Sequence, residues 1–475
     1  MIVSVPEVVL PPEDLGSVHF VGIGGAALSG LARLMAARAV VVTGSDAQDS
    51  PALESLRALG IRCFVGHSAD QVGHADTVVV STAVPADNPE VVRALQDGLR
   101  VWPRSAAVQS LLIGRRAVVV TGTHGKTTTT SMLVTALLAC GADPSYAVGS
   151  ALTATGLNAA EGHDGDFIVE GDESDAAILV YKPFGAVVTN VDVDHLDFFG
   201  TREAYADAFD EFVRRVDVEG FFVCGVDDPG GRRLSARSAE NGLRTVTVGR
   251  HPSARLRAVD VHPTQTGSTS QVVMGGTPLG RLSLQVPGRA YVVDALAALA
   301  AGLELGHPFD GLSEGLADFR GSGRRMELKG SRAGVRVYDS YAHHPVEITS
   351  DLEAAREIAT GGRVVVCFQP HLFSRTRAFA QEMGTALGGA DRVVVMDVYP
   401  ARETPVAGVT GALVADAVPL DRAHVVFEPD PHQVAGRLVA MARRGDLVIT
   451  LGAGDVTNVG PQVLERLAAR EEEHP

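Results

Sequence analysis

The chain is poor in cysteine: Cys63, Cys140, Cys224 and Cys367 are its only four, too far apart for a zinc pattern or a disulfide framework. Most of them lie in or beside apolar stretches that read as core. No uninterrupted apolar run is long enough to cross a bilayer. The opening residues, Met1-Ile2-Val3-Ser4-Val5-Pro6-Glu7, carry no basic region ahead of their short apolar stretch, and Glu13 and Asp14 follow soon after. A secretory signal is therefore not expected, and the protein reads as cytoplasmic. Basic residues are also in short supply, 41 Lys and Arg against 57 Asp and Glu, for a net charge of −16. That balance argues against nucleic acid as the main partner, while leaving room for small anions held by local loops. No internal repeat or low-complexity tract is present.

What remains is a chain of ordinary globular make-up, 45% hydrophobic and 21% charged, which excludes a disordered polymer. Its 475 residues suggest about three domains. The expected fold is α/β in three blocks: a Rossmann-like block over 1–113, a P-loop ATPase-like block with added β-strands over 114–321, and a second Rossmann-like block over 322–475. In the first, Val18-His19-Phe20-Val21, Val40-Val41-Val42 and Thr77-Val78-Val79-Val80 read as parallel strands buried on both faces. The central block opens with strands at Phe167-Ile168-Val169 and Ala186-Val187-Val188-Thr189. It then turns to short alternating strands such as Arg281–Val286 and ends in an alanine-rich helix from Asp294 to Ala301. The third carries strands at Val335–Tyr338, Val364–Phe368, Val393–Met396 and Leu447–Thr450. Polar loops follow nearly every strand, and in open α/β sheets those carboxyl-end loops hold the ligand. The terminus Ala468-Ala469-Arg470-Glu471-Glu472-Glu473-His474-Pro475 reads as a frayed, solvated end.

The segment Val118-Val119-Val120-Thr121-Gly122-Thr123-His124-Gly125-Lys126-Thr127-Thr128 is the most informative. An apolar strand runs into a glycine-containing turn with a lysine, and a helical run follows at Met132-Leu133-Val134. Backbone N–H groups of such a turn converge on one locus, and the helix N-terminus adds partial positive charge. Lys126 can reach outer phosphates, and the Thr127 hydroxyl can hold Mg2+. Val120 stands where the usual Walker A pattern has its first glycine, so the loop is a shorter variant. In the first block, Gly22, Gly24 and Gly25 form a second phosphate-type turn, with Asp46 after the next strand able to bind a ribose or sugar hydroxyl. NAD and a UDP-sugar both fit that description.

Two acidic strand ends complete the pattern. Glu170-Gly171-Asp172-Glu173-Ser174-Asp175 places four acids in six residues just past an apolar strand. Solvated turns are the ordinary fate of such runs, but a position at the end of a buried strand suits a hard cation. The next strand ends in Thr189-Asn190-Val191-Asp192-Val193-Asp194-His195-Leu196-Asp197, where a histidine among aspartates can ligate or orient a second cation.

Taken together the motifs resemble the Mur ligase family. They are the Gly-Thr-His-Gly-Lys-Thr loop, the Glu170–Ser174 strand end, the Thr189–His195 segment and the Phe319-Arg320-Gly321-x-Gly323-Arg324-Arg325 hinge. To these are added Tyr341-Ala342-His343-His344-Pro345, Gln369-Pro370-His371 with Ser374-Arg375, and Tyr399-Pro400-Ala401-Arg402-Glu403. The resemblance runs over nearly the whole chain. It implies a cytoplasmic enzyme of peptidoglycan precursor synthesis that uses ATP and Mg2+ to join L-alanine to UDP-N-acetylmuramate, working as a monomer or weak homodimer. ATP would contact Gly122, Thr123, Gly125, Lys126, Thr127 and Thr128, and Lys126 would neutralise its β- and γ-phosphates. Thr127 and Glu170 would hold one Mg2+ and His195 a second. Arg325 at the hinge and the loop after Tyr338 would bring the third block onto the nucleotide, and His344, His371 and Arg375 would face the reacting carboxylate and the amino acid. Gly22, Gly24, Gly25, Ser45, Asp46, Ser81, Asn88 and Arg104 would hold the UDP end, with His124 turned toward the sugar nucleotide.

Three motifs depart from the family pattern. Its His-Asn-x-x-Asn helix start, which meets adenosine, is Ala290-Tyr291-Val292-Val293-Asp294 here, so Tyr291 would stack on adenine and Asp294 would accept from it. Its Asp-Asp-Tyr loop is Asp339-Ser340-Tyr341, and its arginine after Gln-Pro-His is Leu372. Other readings are a sister ligase that adds a preformed peptide to the same sugar nucleotide, a non-catalytic paralogue that only binds it, and an NAD-dependent dehydrogenase. The last leaves the lysine loop and both acidic strand ends unexplained.

Overall fold

In a computed structural model of the chain, residues 3–264, 266–401 and 403–473 are described; Arg402 of the Tyr399–Glu403 motif lies outside them. The chain builds three sheets. The first takes β1 (Val18–Val21), β2 (Val42–Asp46), β3 (Arg62–Val65), β4 (Thr77–Val80) and β5 (Arg100–Pro103), in the order β3-β2-β1-β4-β5 and parallel throughout. The order reverses direction at β1, which opens a crevice between the carboxyl ends of β1 and β4. Val40 and Val41 precede the strand expected there; Val41 is solvent-exposed, and β2 begins at Val42. That later start carries Ser45 and Asp46 to the end of the strand, beside the Gly22 turn.

The second sheet comprises β6 (Arg116–Thr121), β7 (Ser145–Ala147), β8 (Ala159–Ala160), β9 (Asp166–Glu170), β10 (Gly185–Val188), β11 (Phe221–Gly225) and β12 (Thr245–Val248), extended by β13 (Leu256–Pro263), β14 (Ser268–Met274) and β15 (Thr277–Leu284). Its order is β15-β14-β13-β12-β11-β10-β6-β9-β7-β8. The lysine loop thus leaves β6 with parallel neighbours on both sides, β9 ending at Glu170 and β10 running into Thr189. Val118, Val119 and Val120 are fully buried, which is why this strand reads as an unbroken apolar run.

The third sheet takes β16 (Glu327–Arg332), β17 (Val335–Ser340), β18 (Val364–Phe368), β19 (Arg392–Val395), β20 (Val425–Phe427) and β21 (Leu447–Leu451), in the order β16-β17-β21-β18-β19-β20. Only the β16–β17 pair is antiparallel, with a register shift between Leu328 and Gly330. The acidic C-terminal stretch is not frayed as expected: a helix runs over Val459–Glu473. Val459, Val463 and Leu467 recur at helical spacing and are buried in the core beneath this sheet, so the helix is held by packing whatever its terminal charges do.

The chain forms two compact units. One comprises Met1–Val259, Gln271–Gly280 and Val293–Asp318; the other comprises Asp260–Ser270, Arg281–Val292 and Phe319–Pro475. Within the first, the helix Ala26–Ala37 packs on the second sheet's edge, where Asn158 Nδ2 donates to Ala26 O at 2.7 Å. All four cysteines are free thiols, with Cys224 and Cys367 buried. Among the described residues no helix is long and apolar enough to cross a membrane.

Candidate active site

The lysine loop is built by two glycines and a clamp. Gly122 has φ 129° and Gly125 φ 82°, a backbone region closed to most side chains. Space forbids side chains there as well: a Cβ on Gly122 would come within 2.2 Å of Thr189 Oγ1, and one on Gly125 within 2.4 Å of Asp294 Oδ1. The clamp comes from the end of β10. Asn190 Oδ1 accepts from His124 N at 2.9 Å, while Asn190 Nδ2 and Thr189 Oγ1 both donate to His124 O, at 2.9 and 2.5 Å. The His124 backbone is thereby fixed, and the helix Lys126–Ala139 starts directly behind it.

Around this loop the predicted ligands converge. Thr127 Oγ1 donates to Glu170 Oε1 at 2.8 Å, and Glu170 Oε2 accepts from Gly149 N at 2.6 Å. Lys126 Nζ donates to Glu173 Oε1 at 2.9 Å and to two carbonyls of its own loop. Burial pulls the Lys126 pKa down, but Glu173, with Asp172 and Glu170 behind it, more than reverses this, and the ammonium is held above the usual lysine value. His195, with φ 53°, brings Nε2 to 3.4 Å from Glu173 Oε1 and 3.5 Å from Asp194 Oδ2. Burial again works against its charge, and the two carboxylates again prevail, so its pKa is raised. Thr123 Oγ1 lies 3.0 Å from the buried Tyr205 hydroxyl, and Thr128 is buried in the helix.

At the crevice of the first sheet, Gly24 N donates to Asp46 Oδ2 at 2.9 Å, and Gly22 lies against the Ser81 side chain. Ser45 is fully buried, its Oγ 2.5 Å from Glu90 Oε2 and 3.0 Å from His67 Nδ1, with Glu90 in turn 3.7 Å from His19 Nε2. Burial raises the Glu90 pKa less than the bonds from His19, Ser45 and His67 lower it. Two other candidates are already engaged. Asn88 Oδ1 caps the helix Pro89–Gln96 by accepting from Glu90 N and Val91 N. Arg104 Nη2 bonds Asp172 Oδ2 at 2.7 Å, tying the end of β5 to the acidic run behind β9.

In the second unit, the loop after β17 gathers most of the remaining candidates. The His343 and His371 rings are 5.9 Å apart, Arg375 Nη1 is 3.5 Å from His371 Nδ1, and His371 stacks on Tyr399. Arg325 lies over the Tyr341 ring at 5.2 Å and 3.7 Å from Glu347. His344 is buried at the start of the helix Pro345–Ala359, against Phe379, so His343 is the member of the pair alongside His371. Burial holds the His343 pKa well below the usual histidine value, despite the nearby Glu347.

Comparison with known families decides what this arrangement belongs to. Residues 17–116 match the Mur ligase family catalytic domain, 120–302 the Mur ligase middle domain, and 324–454 the Mur ligase glutamate ligase domain. The chain belongs to the Mur ligase family. Similar curated Mur ligases include the UDP-N-acetylmuramate--L-alanine ligases of a Nocardioides strain, 56% identical over 98% of this chain and 99% of that one, and of Kineococcus radiotolerans, 53% identical over 96% and 97%. Among solved structures, the UDP-N-acetylmuramate-alanine ligase of Thermotoga maritima superposes with a TM-score of 0.81 at 28% identity, covering 96% of this chain and 99% of that one. A murein peptide ligase from Psychrobacter arcticus shares the fold, with a TM-score of 0.70 at 23% identity over 95% and 99%.

The departures from the Mur ligase pattern are accommodated locally. Asp294 seats its carboxylate against Gly125, and Tyr291 is buried beside Gly288. Ser340 Oγ hydrogen-bonds the half-buried Asp351, whose pKa is pushed up to about 7, chiefly by desolvation. Leu372 takes φ 68° at the start of the helix Phe373–Leu387. Sequence reasoning passed over Glu173, Tyr205, His67 and Glu90. Glu173 lies in an acidic run whose members look alike, and His67 follows a short strand, β3, none of whose residues is buried.

Proposed function

We propose that this Mur ligase joins L-alanine to the lactyl carboxylate of UDP-N-acetylmuramate with ATP, in peptidoglycan precursor synthesis in the cytoplasm. The observation that carries the reading is identity of up to 56% over nearly the full length with ligases named for that reaction. The Lys126–Thr127–Glu170 arrangement supports it. The γ-phosphoryl passes to the carboxylate, ADP leaves, and the resulting acyl phosphate is attacked by the L-alanine amine. Phosphate departs, and the amine proton is lost as the amide forms. A carboxylate and an amine do not condense in water, so the barrier falls through positioning, neutralisation of the transferred group and exclusion of water.

Lys126 neutralises outer-phosphate charge, and the loop N–H groups hold the phosphate chain. The Thr127 hydroxyl and Glu170 carboxylate, already in contact, are hard oxygen donors of the kind Mg2+ takes. Among the described residues no cluster of three or more His, Cys, Asp or Glu is arranged to hold an ion alone. Thr127, Glu170 and His195 would therefore hold Mg2+ jointly with phosphate oxygens, and it would supply charge neutralisation of the phosphates. Gly22, Gly24, Gly25, Ser45, Asp46, Ser81, Asn88 and Arg104 take the UDP end, with His124 turned toward the sugar nucleotide. Arg325, His371 and Arg375, with His343 beside them and His344 behind, serve the amino acid and the carboxylate. The working boundaries remain 1–113, 114–321 and 322–475, in keeping with one sheet apiece.

The test is direct. Purified protein with ATP, Mg2+, UDP-N-acetylmuramate and L-alanine should release phosphate and form the alanyl product. Absence of phosphate release with L-alanine, glycine and L-serine alike would sink the reading, and release only with a preformed peptide would transfer it to the sister ligase.

A further inference from the structure

The Lys126 ammonium has three N–H bonds, and all three are committed inside the protein: to Gly122 O at 2.8 Å, to Thr123 O at 3.0 Å and to Glu173 Oε1 at 2.9 Å. A phosphate oxygen can gain a hydrogen bond from Lys126 only by displacing one of these acceptors. Two of them are carbonyls of a loop that is itself clamped by Thr189 and Asn190. The third belongs to a side chain and carries the charge a phosphate oxygen would replace.

Glu173 is also an unusual residue to find in that position. It is 1% exposed, and its Oε2 is buried without a hydrogen-bond partner among the described residues. A buried carboxylate with an unsatisfied oxygen is costly, so stability alone does not account for it. Its Oε1 already lies 3.4 Å from His195 Nε2, which gives the carboxylate somewhere to turn when Lys126 leaves.

We propose that Glu173 is a positioning residue, the exchange partner of Lys126, which holds the ammonium at the loop and yields it to an outer phosphate of the nucleotide. Nucleotide binding then breaks a buried ion pair. Glu173 accordingly weakens ground-state affinity for the nucleotide while keeping the lysine aimed, and its release couples the lysine loop to His195. The inference rests on the lysine loop being the triphosphate site.

A double-mutant cycle tests it, using calorimetric titration with a non-hydrolysable ATP analogue at fixed Mg2+ on Glu173→Gln, Lys126→Met and the double variant. Glu173→Gln should tighten binding by about tenfold in the protein that keeps Lys126, and change it less than about twofold in the Lys126→Met background. Unchanged or weaker binding in Glu173→Gln overturns the exchange. So does equal tightening in both backgrounds, which is simple charge repulsion. If Lys126→Met leaves analogue binding intact, the assignment of the loop falls instead. Should Glu173→Gln fail to fold, Glu173→Asp, one methylene short of the lysine, takes its place in the same cycle with the same expectation.

Discussion

Lys126 and Thr127 are adjacent in the chain yet meet different carboxylates, because the helix beginning at Lys126 turns one side chain toward Glu173 and the next toward Glu170. The two acids are three residues apart at the end of β9. Charge at the loop is therefore divided between a buried cation, paired with Glu173, and an oxygen pair suited to a metal. Lys126→Ala should abolish phosphoryl transfer, lowering kcat by about a thousandfold or more, while UDP-sugar binding measured by calorimetry stays within error. Retained turnover would refute the loop assignment. His195 stands between Glu173 and Asp194 with its charge favoured by both. His195→Ala should raise the Mg2+ concentration needed for half-maximal rate; an unchanged Mg2+ titration would reduce His195 to a structural hydrogen-bonder.

The strand ends are the unit in which this site was legible. Apolar runs at Val118–Val120 and Val364–Phe368 announce buried parallel strands, and whatever polar residues follow them must lie at the sheet's carboxyl edge. That logic puts Thr127, Glu170 and His195 at the ends of neighbouring strands of the second sheet, where the structure has them. It could not foresee which carboxylate of Glu170–Asp175 would face Lys126, because that depends on the path of a non-repeating turn. Nor could it foresee that Asn88 would cap a helix, or that Arg104 would turn to Asp172. Helix caps and ion pairs draw on the same kinds of side chain that bind ligands, and a sequence does not show which of these contacts a side chain makes. The clamp from β10 is likewise invisible until the strands are aligned. Asn190→Ala removes one bond in each direction with His124, each worth about 0.5–1.5 kcal/mol, so the KM for ATP should rise about tenfold with little change in thermal stability. An unchanged KM would show that the loop keeps its shape without the clamp.

On the scale of the whole molecule, the pH dependence of stability carries a signature of the second unit. Asp351 titrates near pH 7 when folded, against an ordinary value of 3.8. Between those values the folded chain binds more protons than the unfolded one, so stability from this group falls as pH rises from about 4 to about 7 and is level above. An asparagine side chain mimics the protonated acid, so Asp351→Asn should match the parent near pH 4 and exceed it at pH 8, on the order of 2–4 kcal/mol. Scanning calorimetry of both proteins across that range would show it; parallel curves would mean that Asp351 is ionised when folded. His343 titrates in the opposite sense, losing stability as pH falls below its ordinary value, but it is common to both proteins and cancels in the difference.

The Arg104–Asp172 pair has a consequence for how substrates cooperate. Asp172 lies within the electrostatic reach of two cations, Arg104 from the first sheet's edge and Lys126 from the second's, and its own pKa is depressed by both against the opposing effect of burial. A shift of Lys126 toward phosphate leaves Arg104 with the larger share of that carboxylate, and a shift of Arg104 does the same for Lys126. On the proposed assignment of Arg104 to the sugar nucleotide and Lys126 to the triphosphate, the two sites share one negative charge. By thermodynamic reciprocity, the factor by which the sugar nucleotide changes affinity for ATP must equal the factor by which ATP changes affinity for the sugar nucleotide.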